Sequence, residues 1–341
     1  MIARFFSIVL LCLVGNAGAK TVVNLPFDGG AFGSFRINLT VGTPGQEVSF
    51  YLFEREAQPE ADVVVNGEYP EGAFFREESS SFQVVNALDN YLGTPIGVNG
   101  TDVFTLGDGV TVKLPFRLYD YPFYQVIDDY YLYFDTTAFG LNRPPDGSFS
   151  FFQTLLEIFE EKTVVFSYDH VTDSWPMYSW GIVTLGGKAE DRCADDWIIQ
   201  PEAPWLLPVE QWAVNIDEVT FGTHTFDTPG HLYFSQIEWD LWMPEQYTEW
   251  FMNALGIQDY TYVPCDVQTD IVFSVGGAEV HVTPDEYLNR ENQETSRRCS
   301  LRIEPSEYKQ FILPRSVYQR HCVLRDYSNF QIGFATRLPP N

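Results

Sequence analysis

Short apolar segments alternate with turn-forming residues along most of the chain. Runs rich in Val, Ile, Phe, Tyr and Thr recur between clusters of Gly, Asp, Asn and Pro. This spacing is typical of β-strands joined by turns, so the pattern predicts a mainly β protein. The run Val48–Phe53 is predicted to be a strand that is buried on both sides. It ends abruptly in the charged residues Glu54, Arg55 and Glu56, which indicates either a cleft or a solvated loop.

Two stretches have the periodicity of amphipathic helices instead. The apolar positions of the first are Phe152, Leu155, Leu156 and Phe159. Ser150 and Gln153 are spaced as a capping box at its start. The apolar positions of the second are Tyr247, Trp250, Phe251 and Ala254, between Pro244 and Gly256. Two such helices, far apart in an otherwise β chain, indicate a duplicated lobe.

The excess of acidic over basic side chains limits the partners that the chain can bind. Its 341 residues include 47 Asp and Glu against 20 Lys and Arg, which gives a net charge of −27. Nucleic acids and anionic membranes require clustered basic side chains, so we predict that neither is a partner. A surface rich in acids loses net charge as the pH falls, which suits an acidic lumen.

Residues 1–19 have the features of a secretory signal peptide. Arg4 precedes an apolar run from Phe5 to Val14, and Ala17-Gly18-Ala19 fits the rule for a small-residue cleavage site. We therefore expect a secreted or extracellular protein, with a lysosome or a gut lumen as alternative destinations. No later segment approaches the roughly 20 apolar residues of a membrane span.

Cysteines and sequons agree with this secretory expectation. Removal of the signal peptide removes Cys12 and leaves four cysteines, which we expect to form two disulfides in one of three pairings. These cysteines are Cys193, Cys265, Cys299 and Cys322. The sequons that begin at Asn38 and Asn99 predict two sites of N-glycosylation.

Several catalytic signatures are absent from the sequence. The five histidines show no HExxH or other paired-ligand spacing, so we predict no metal site and no cofactor. The sequence also contains no Gly-x-Ser-x-Gly elbow and no phosphate-binding loop.

Seven motifs, in order, resemble those of the pepsin-like aspartic peptidases. The first is Gly42-Thr43-Pro44-Gly45-Gln46, followed by an apolar strand. The others lie at 75–82, 97–102, 138–141, 185–187, 212–219 and 311–335. The resemblance implies an all-β, bilobal fold, with two six-stranded-type β-barrel lobes and a cleft between them. It places the N-terminal lobe at 20–200 and the C-terminal lobe at 201–341, and we expect a monomer.

The same resemblance selects one disulfide pairing. Cys265 and Cys299 resemble the bridge of the family's second lobe. Cys193 is then left to pair with Cys322, and this placement is similar to that in nematode members.

The catalytic motifs of the family are replaced in this chain. In the family, two strands each lead into Asp-Thr-Gly, and the two aspartates form the catalytic pair. The alignment places Phe53, Glu54 and Arg55 on the first motif and Ser235, Gln236 and Ile237 on the second. The flap tyrosine aligns with Asn90, or with Tyr91 if the hairpin shifts by one residue. These residues, with Glu56, are the predicted cleft residues. Pro314 and Arg315 stand where the family has glycine and aspartate.

These replacements predict the function. Peptide hydrolysis by two carboxylates requires that they share one proton, but Phe53 does not titrate and Ser235 is not a base without a partner. We expect a secreted, non-catalytic homologue that binds an extended peptide or a small apolar ligand in the cleft. One alternative is an aspartic-type endopeptidase that uses Glu54 with Glu238 or Asp240. The other is a structural or storage glycoprotein.

Overall fold

The computed structural model describes most of the chain. The described residues are 22–29, 35–53, 61–64, 74–89, 95–119, 123–127, 130–134, 138–141, 150–172, 178–204, 212–236, 238–255, 263–290, 298–306 and 310–339. The predicted signal peptide lies outside them.

Strands dominate the described residues, as the alternation in the sequence predicts. In chain order they are β1 (Val23–Gly29), β2 (Phe35–Val41), β3 (Gln46–Phe53), β4 (Ala61–Val64), β5 (Gln83–Asp89), β6 (Pro95–Thr105), β7 (Thr111–Tyr119), β8 (Phe123–Ile127), β9 (Tyr130–Phe134), β10 (Ala138–Gly140), β11 (Thr163–Val171), β12 (Ser179–Leu185), β13 (Ile198–Pro201), β14 (Ala213–Phe221), β15 (His224–Phe234), β16 (Leu241–Pro244), β17 (Val263–Pro264), β18 (Ile271–Val275), β19 (Ala278–Val282), β20 (Leu288–Asn289), β21 (Arg298–Leu301), β22 (Ile303–Ser306), β23 (Gln310–Leu313), β24 (His321–Asp326) and β25 (Gln331–Thr336). The α-helices are α1 (Phe151–Leu156), α2 (Glu245–Leu255) and α3 (Pro284–Tyr287). Short 3-10 helices span Arg76–Glu78, Gly107–Gly109 and Arg315–Gln319.

Most of these strands belong to two large sheets. Within the described ranges, the larger sheet has the order β13-β25-β24-β11-β12-β1-β2-β3-β10-β4-β7-β6-β5, and the smaller has the order β19-β18-β14-β15-β23-β16-β22. The remaining strands pair as β17-β21-β20 and β8-β9. The fold class is therefore all-β, as predicted.

The larger sheet is not the separate barrel of one lobe that the resemblance implied. Six of its strands form a closed ring, because β2 pairs with β6 as well as with β3, and the ring is completed through β10, β4 and β7. The sheet also continues past β12 and β11 into β24, β25 and β13. Strands from 20–200 and from 201–341 thus share one sheet. The position of the lobe boundary stays a prediction.

The strand β3 is only half-buried, and the prediction that both of its faces are buried is wrong. Its fully buried side chains are Val48, Phe50 and Leu52. Ser49 and Tyr51 are partly exposed on the opposite face. They pair with Asn38 and Arg36 of β2, whose side chains also reach solvent, and cross-strand partners lie on the same face of a sheet.

Both predicted helices are present. The Ser150 Oγ accepts the N–H of Gln153 at 3.1 Å, and the Gln153 Oε1 accepts the N–H of Ser150 at 3.0 Å, so the capping box is confirmed. The helix α2 begins directly after Pro244, as predicted. Among the described residues, no helix is long and apolar enough to cross a membrane.

The two predicted disulfides are formed. Cys193 is bonded to Cys322, and Cys265 is bonded to Cys299. The first bridge ties the segment after β12 to β24 and is buried in a small cluster with Val165 and Leu324. It therefore joins two segments that are distant in sequence at the larger sheet.

Candidate cleft site

Two strands end at corresponding points of the two large sheets. In the larger sheet, β3 pairs in parallel with β10, and its last residue, Phe53, lies opposite Gly140. In the smaller sheet, β15 pairs in parallel with β23, and its last residue, Phe234, lies opposite Leu313. Parallel pairing between strands that are not consecutive in the chain is thus a feature of both sheets.

The observed register ends at Phe53 in one pairing and at Phe234 in the other. Ser235 directly follows β15, so continuing the same register sets it beside Pro314. The resemblance aligns the segments 138–140 and 312–314, and with them Phe53 and Ser235. The equivalence of Phe53 and Ser235 stays a prediction.

Ser235 is enclosed by the protein. Its exposed fraction is 0%, and that of Gln236 is 1%. The Ser235 Oγ accepts the backbone N–H of Glu238 at 3.1 Å, a short-range bond that is typical of serine in turns. The hydroxyl therefore stabilises the turn after β15, and it is not accessible from solvent.

Two buried tyrosines hold the loop 234–236 through its main chain. The Tyr318 hydroxyl donates to the carbonyl oxygen of Phe234 at 2.9 Å, and the Tyr168 hydroxyl donates to that of Gln236 at 3.2 Å. The two rings are in contact, with their centroids 5.0 Å apart. Both tyrosines are 0% exposed. Tyr168 lies on β11 of the larger sheet, so the loop is attached to both large sheets.

A buried cation lies next to this loop. Arg315 is 1% exposed, and its guanidinium lies over the ring of Trp239, where the cation is attracted by the π electrons. Its backbone N–H donates to the carbonyl oxygen of Glu238 at 2.8 Å. A positive charge at this place favours the ionised form of a neighbouring carboxyl group.

Two carboxylates follow the loop in sequence. Glu238 and Asp240 are both half-buried. Burial raises the pKa of Asp240 above its usual value, and the charge of Arg302 partly opposes that rise. A raised pKa is what a general acid requires, but it also arises in carboxylates that have only a structural role.

The comparison with known families agrees with this geometry. The family described as eukaryotic aspartyl protease matches residues 162–337, which is just over half of the chain. The chain belongs to this family. The matched region contains the loop 234–236, both tyrosines and Arg315. No individually curated protein matches the sequence significantly.

In this aspartyl protease homologue, a buried carboxylate fixes the base of the β5–β6 hairpin. Asp102 is 0% exposed and accepts the hydroxyls of Ser79 at 2.7 Å and of Ser81 at 2.6 Å. It also accepts the N–H of Val103 at 2.7 Å. The Ser79 Oγ in turn accepts the N–H of Thr43 at 3.1 Å. This network connects the turn before β3 to the hairpin, so Asp102 has a structural role.

Part of the predicted cleft lies outside the described residues. This applies to Glu54, Arg55, Glu56, Asn90, Tyr91 and Ile237, and to the side chain of Phe53. The cleft residues that the structure describes fully are Ser235 and Gln236. Across the described ranges, no group of three or more His, Cys, Asp and Glu side chains is arranged to hold a metal ion.

The sequence analysis missed the two tyrosines that fix the loop. Tyr168 lies within a continuous apolar strand, and Tyr318 lies within a short 3-10 helix. Nothing in either segment distinguishes these side chains from ordinary core aromatics. The replacement of an expected aspartate by Arg315 was the one available signal near Tyr318.

Proposed function

We propose that this protein is a secreted, non-catalytic homologue of the aspartyl proteases that binds an extended peptide or a small apolar ligand in its cleft. One observation carries the proposal. Ser235, which the resemblance aligns with the second catalytic aspartate, has no solvent exposure, and its hydroxyl accepts a hydrogen bond within its own turn.

The chemistry of the family explains why this observation matters. Two adjacent carboxylates share a proton because they cannot both ionise, so one acts as a base on water while the other acts as an acid. A serine hydroxyl cannot replace either carboxylate without a base beside it. The nearby Arg315 opposes the protonated state that a shared proton requires.

The remaining structure supports ligand binding. The β5–β6 hairpin is present, and Asp102 anchors it through buried hydrogen bonds. Among the described strands, β5 is the last of the larger sheet, so one of its sides can pair with an added strand. An extended peptide can bind there as that strand, while apolar contacts give specificity. The two disulfides are typical of an oxidising, extracellular environment, which supports secretion.

The experiment that tests this proposal measures binding and peptide integrity together. Purified protein is incubated with a mixture of apolar peptides of about ten residues, and bound peptides are recovered and identified by mass spectrometry. We expect saturable binding of peptides that are recovered intact. Peptides with N-methylated backbones provide the control, because they cannot donate the main-chain hydrogen bonds and should bind more weakly.

Two outcomes would contradict the proposal. Absence of saturable binding would favour a structural or storage protein, whereas recovery of cleaved peptides would favour an endopeptidase. In the second case, Asp240 is a candidate acid whose pKa is raised by burial, and Asp240→Asn should abolish cleavage. Glu54 and Glu238 are the other candidate acids.

A further inference from the structure

We infer that the folded, secreted protein carries an N-linked glycan on Asn38 and none on Asn99. The two sequons are alike in sequence, but they lie in different surroundings in the larger sheet. This inference rests on the secretion proposed above and is independent of ligand binding.

Asn38 presents its amide to solvent. It lies in β2 with an exposed side chain, and its Oδ1 accepts the hydroxyl of Ser49 at 2.8 Å. Its Nδ2 donates no hydrogen bond to any described residue. N-glycosylation replaces one hydrogen of this nitrogen with a bulky sugar, which requires free space around it. At Asn38 the sugar extends into solvent, and the bond to Ser49 is retained.

The surroundings of Asn38 are also open. Arg36 lies two residues earlier on the same face of β2, and it pairs across the sheet with Asp28, which in turn pairs with Trp180. Asp28 is exposed, and Trp180 is 47% exposed. Strand spacing places Asn38 about 12 Å from Trp180 on this face. Asp28 and Trp180, the described neighbours on this side of Asn38, therefore leave the face open where the glycan would extend.

Asn99 is in the opposite situation. It lies in β6, between β5 and β7, where Asn86 and Arg117 are its cross-strand partners. Its Nδ2 donates to the Oδ1 of Asn86 at 3.2 Å. Its Oδ1 is shielded from solvent and has no hydrogen-bond partner among the described residues. A sugar leaves one hydrogen on Nδ2, and this hydrogen can keep the bond to Asn86. The planar, trans amide sets the sugar on the same side as Oδ1, however, and at Asn99 that side is shielded from solvent. Chains modified at Asn99 are therefore not expected among the folded, secreted molecules.

The test uses the complete chain. The wild-type protein is produced in cultured eukaryotic cells behind a heterologous secretory leader, so the outcome does not depend on residues 1–19. Protein from the medium is treated with peptide N-glycosidase F in ¹⁸O-labelled water, which converts each glycosylated Asn into labelled Asp. Peptide mapping should find the label at Asn38 and unmodified Asn at position 99.

Matched variants identify the site a second time. Thr40→Ala destroys the first sequon and should abolish the change in mass on deglycosylation, whereas Thr101→Ala destroys the second and should leave it unchanged. Label at position 99, or a secreted wild-type protein without label at position 38, would overturn the inference. Peptide binding by the deglycosylated protein is measured separately, so failure of the proposed function is distinguishable from failure of this inference.

Discussion

The two tyrosine hydroxyls at the loop 234–236 provide a direct test of how the second strand end is held. Tyr318→Phe removes the hydroxyl that donates to the carbonyl of Phe234 at 2.9 Å but keeps the ring. The variant loses a hydrogen bond and leaves a buried carbonyl with one donor fewer. A net hydrogen bond contributes about 1 kcal/mol, and an unsatisfied buried group costs about 1–3 kcal/mol, so we expect a loss of about 1.5–2 kcal/mol.

Tyr168→Phe should cost less, about 1 kcal/mol, because its bond to Gln236 is longer at 3.2 Å. The two hydroxyls hold the same short loop, so the losses should not add. The double variant should show a coupling of about 0.5 kcal/mol or more. Urea unfolding, followed by intrinsic fluorescence, gives these free energies.

Tyr287→Phe is the matched control. Its side chain is also 0% exposed, and its hydroxyl donates to the carbonyl of Thr269 at 2.6 Å, in segments that the predicted cleft does not include. This variant should lose similar stability but keep the peptide affinity of the wild type, whereas Tyr318→Phe should lower both. A loss below about 0.5 kcal/mol for Tyr318→Phe, or an equal effect of the control on affinity, would refute the assigned role.

Three further predictions concern charge, covalent links and the missing acid. Burial lowers the pKa of His321 to about 4, so the unfolded state binds the proton first and stability should fall as the pH decreases from about 6.5 to 4. The fall should reach at most about 3 kcal/mol, and His321→Gln should remove it in urea titrations at pH 7 and pH 4. Replacing Cys193 and Cys322 by Ala should lower the free energy of unfolding by about 4–5 kcal/mol, because the bridge closes a loop with a sequence separation of 129 residues; a loss below about 1 kcal/mol would contradict this. Phe53→Asp combined with Ser235→Asp should not restore peptidase activity, because Arg315 favours an ionised carboxylate and Pro314 replaces the expected glycine; pepstatin-sensitive cleavage by this variant would show the opposite.

Local features of the fold could be predicted from the sequence. The capping box of α1 depends on Ser150 and Gln153, which are three residues apart. The half-burial of β3 was not predicted, because its partly exposed face carries the β-forming Tyr51 among apolar neighbours. The disulfide pairing and the extent of the larger sheet could not be predicted from such local patterns. The pairing followed from the resemblance, whereas the extension of the larger sheet by β24, β25 and β13 depends on contacts between distant parts of the chain.

The candidate site was predictable only in part, for the same physical reason. Ser235 was proposed for the second motif because it follows an apolar strand at a recognisable spacing, and this alignment stays a prediction. The tyrosines could not, because Tyr168 contacts a residue 68 positions away and Tyr318 contacts one 84 positions away. The sequence near each tyrosine carries no trace of these contacts. Burial of Ser235 is likewise a property of the assembled sheets rather than of the segment that contains it.

The most direct test of the central claim is a cleavage assay on the pure secreted protein. An unfolded protein substrate is incubated with it at intervals between pH 2 and pH 7, with and without pepstatin, and the products are followed by mass spectrometry. Without a second carboxylate at the position of Ser235, we expect no pepstatin-sensitive cleavage at any pH. Cleavage that pepstatin inhibits and that Glu54→Gln abolishes would contradict the account.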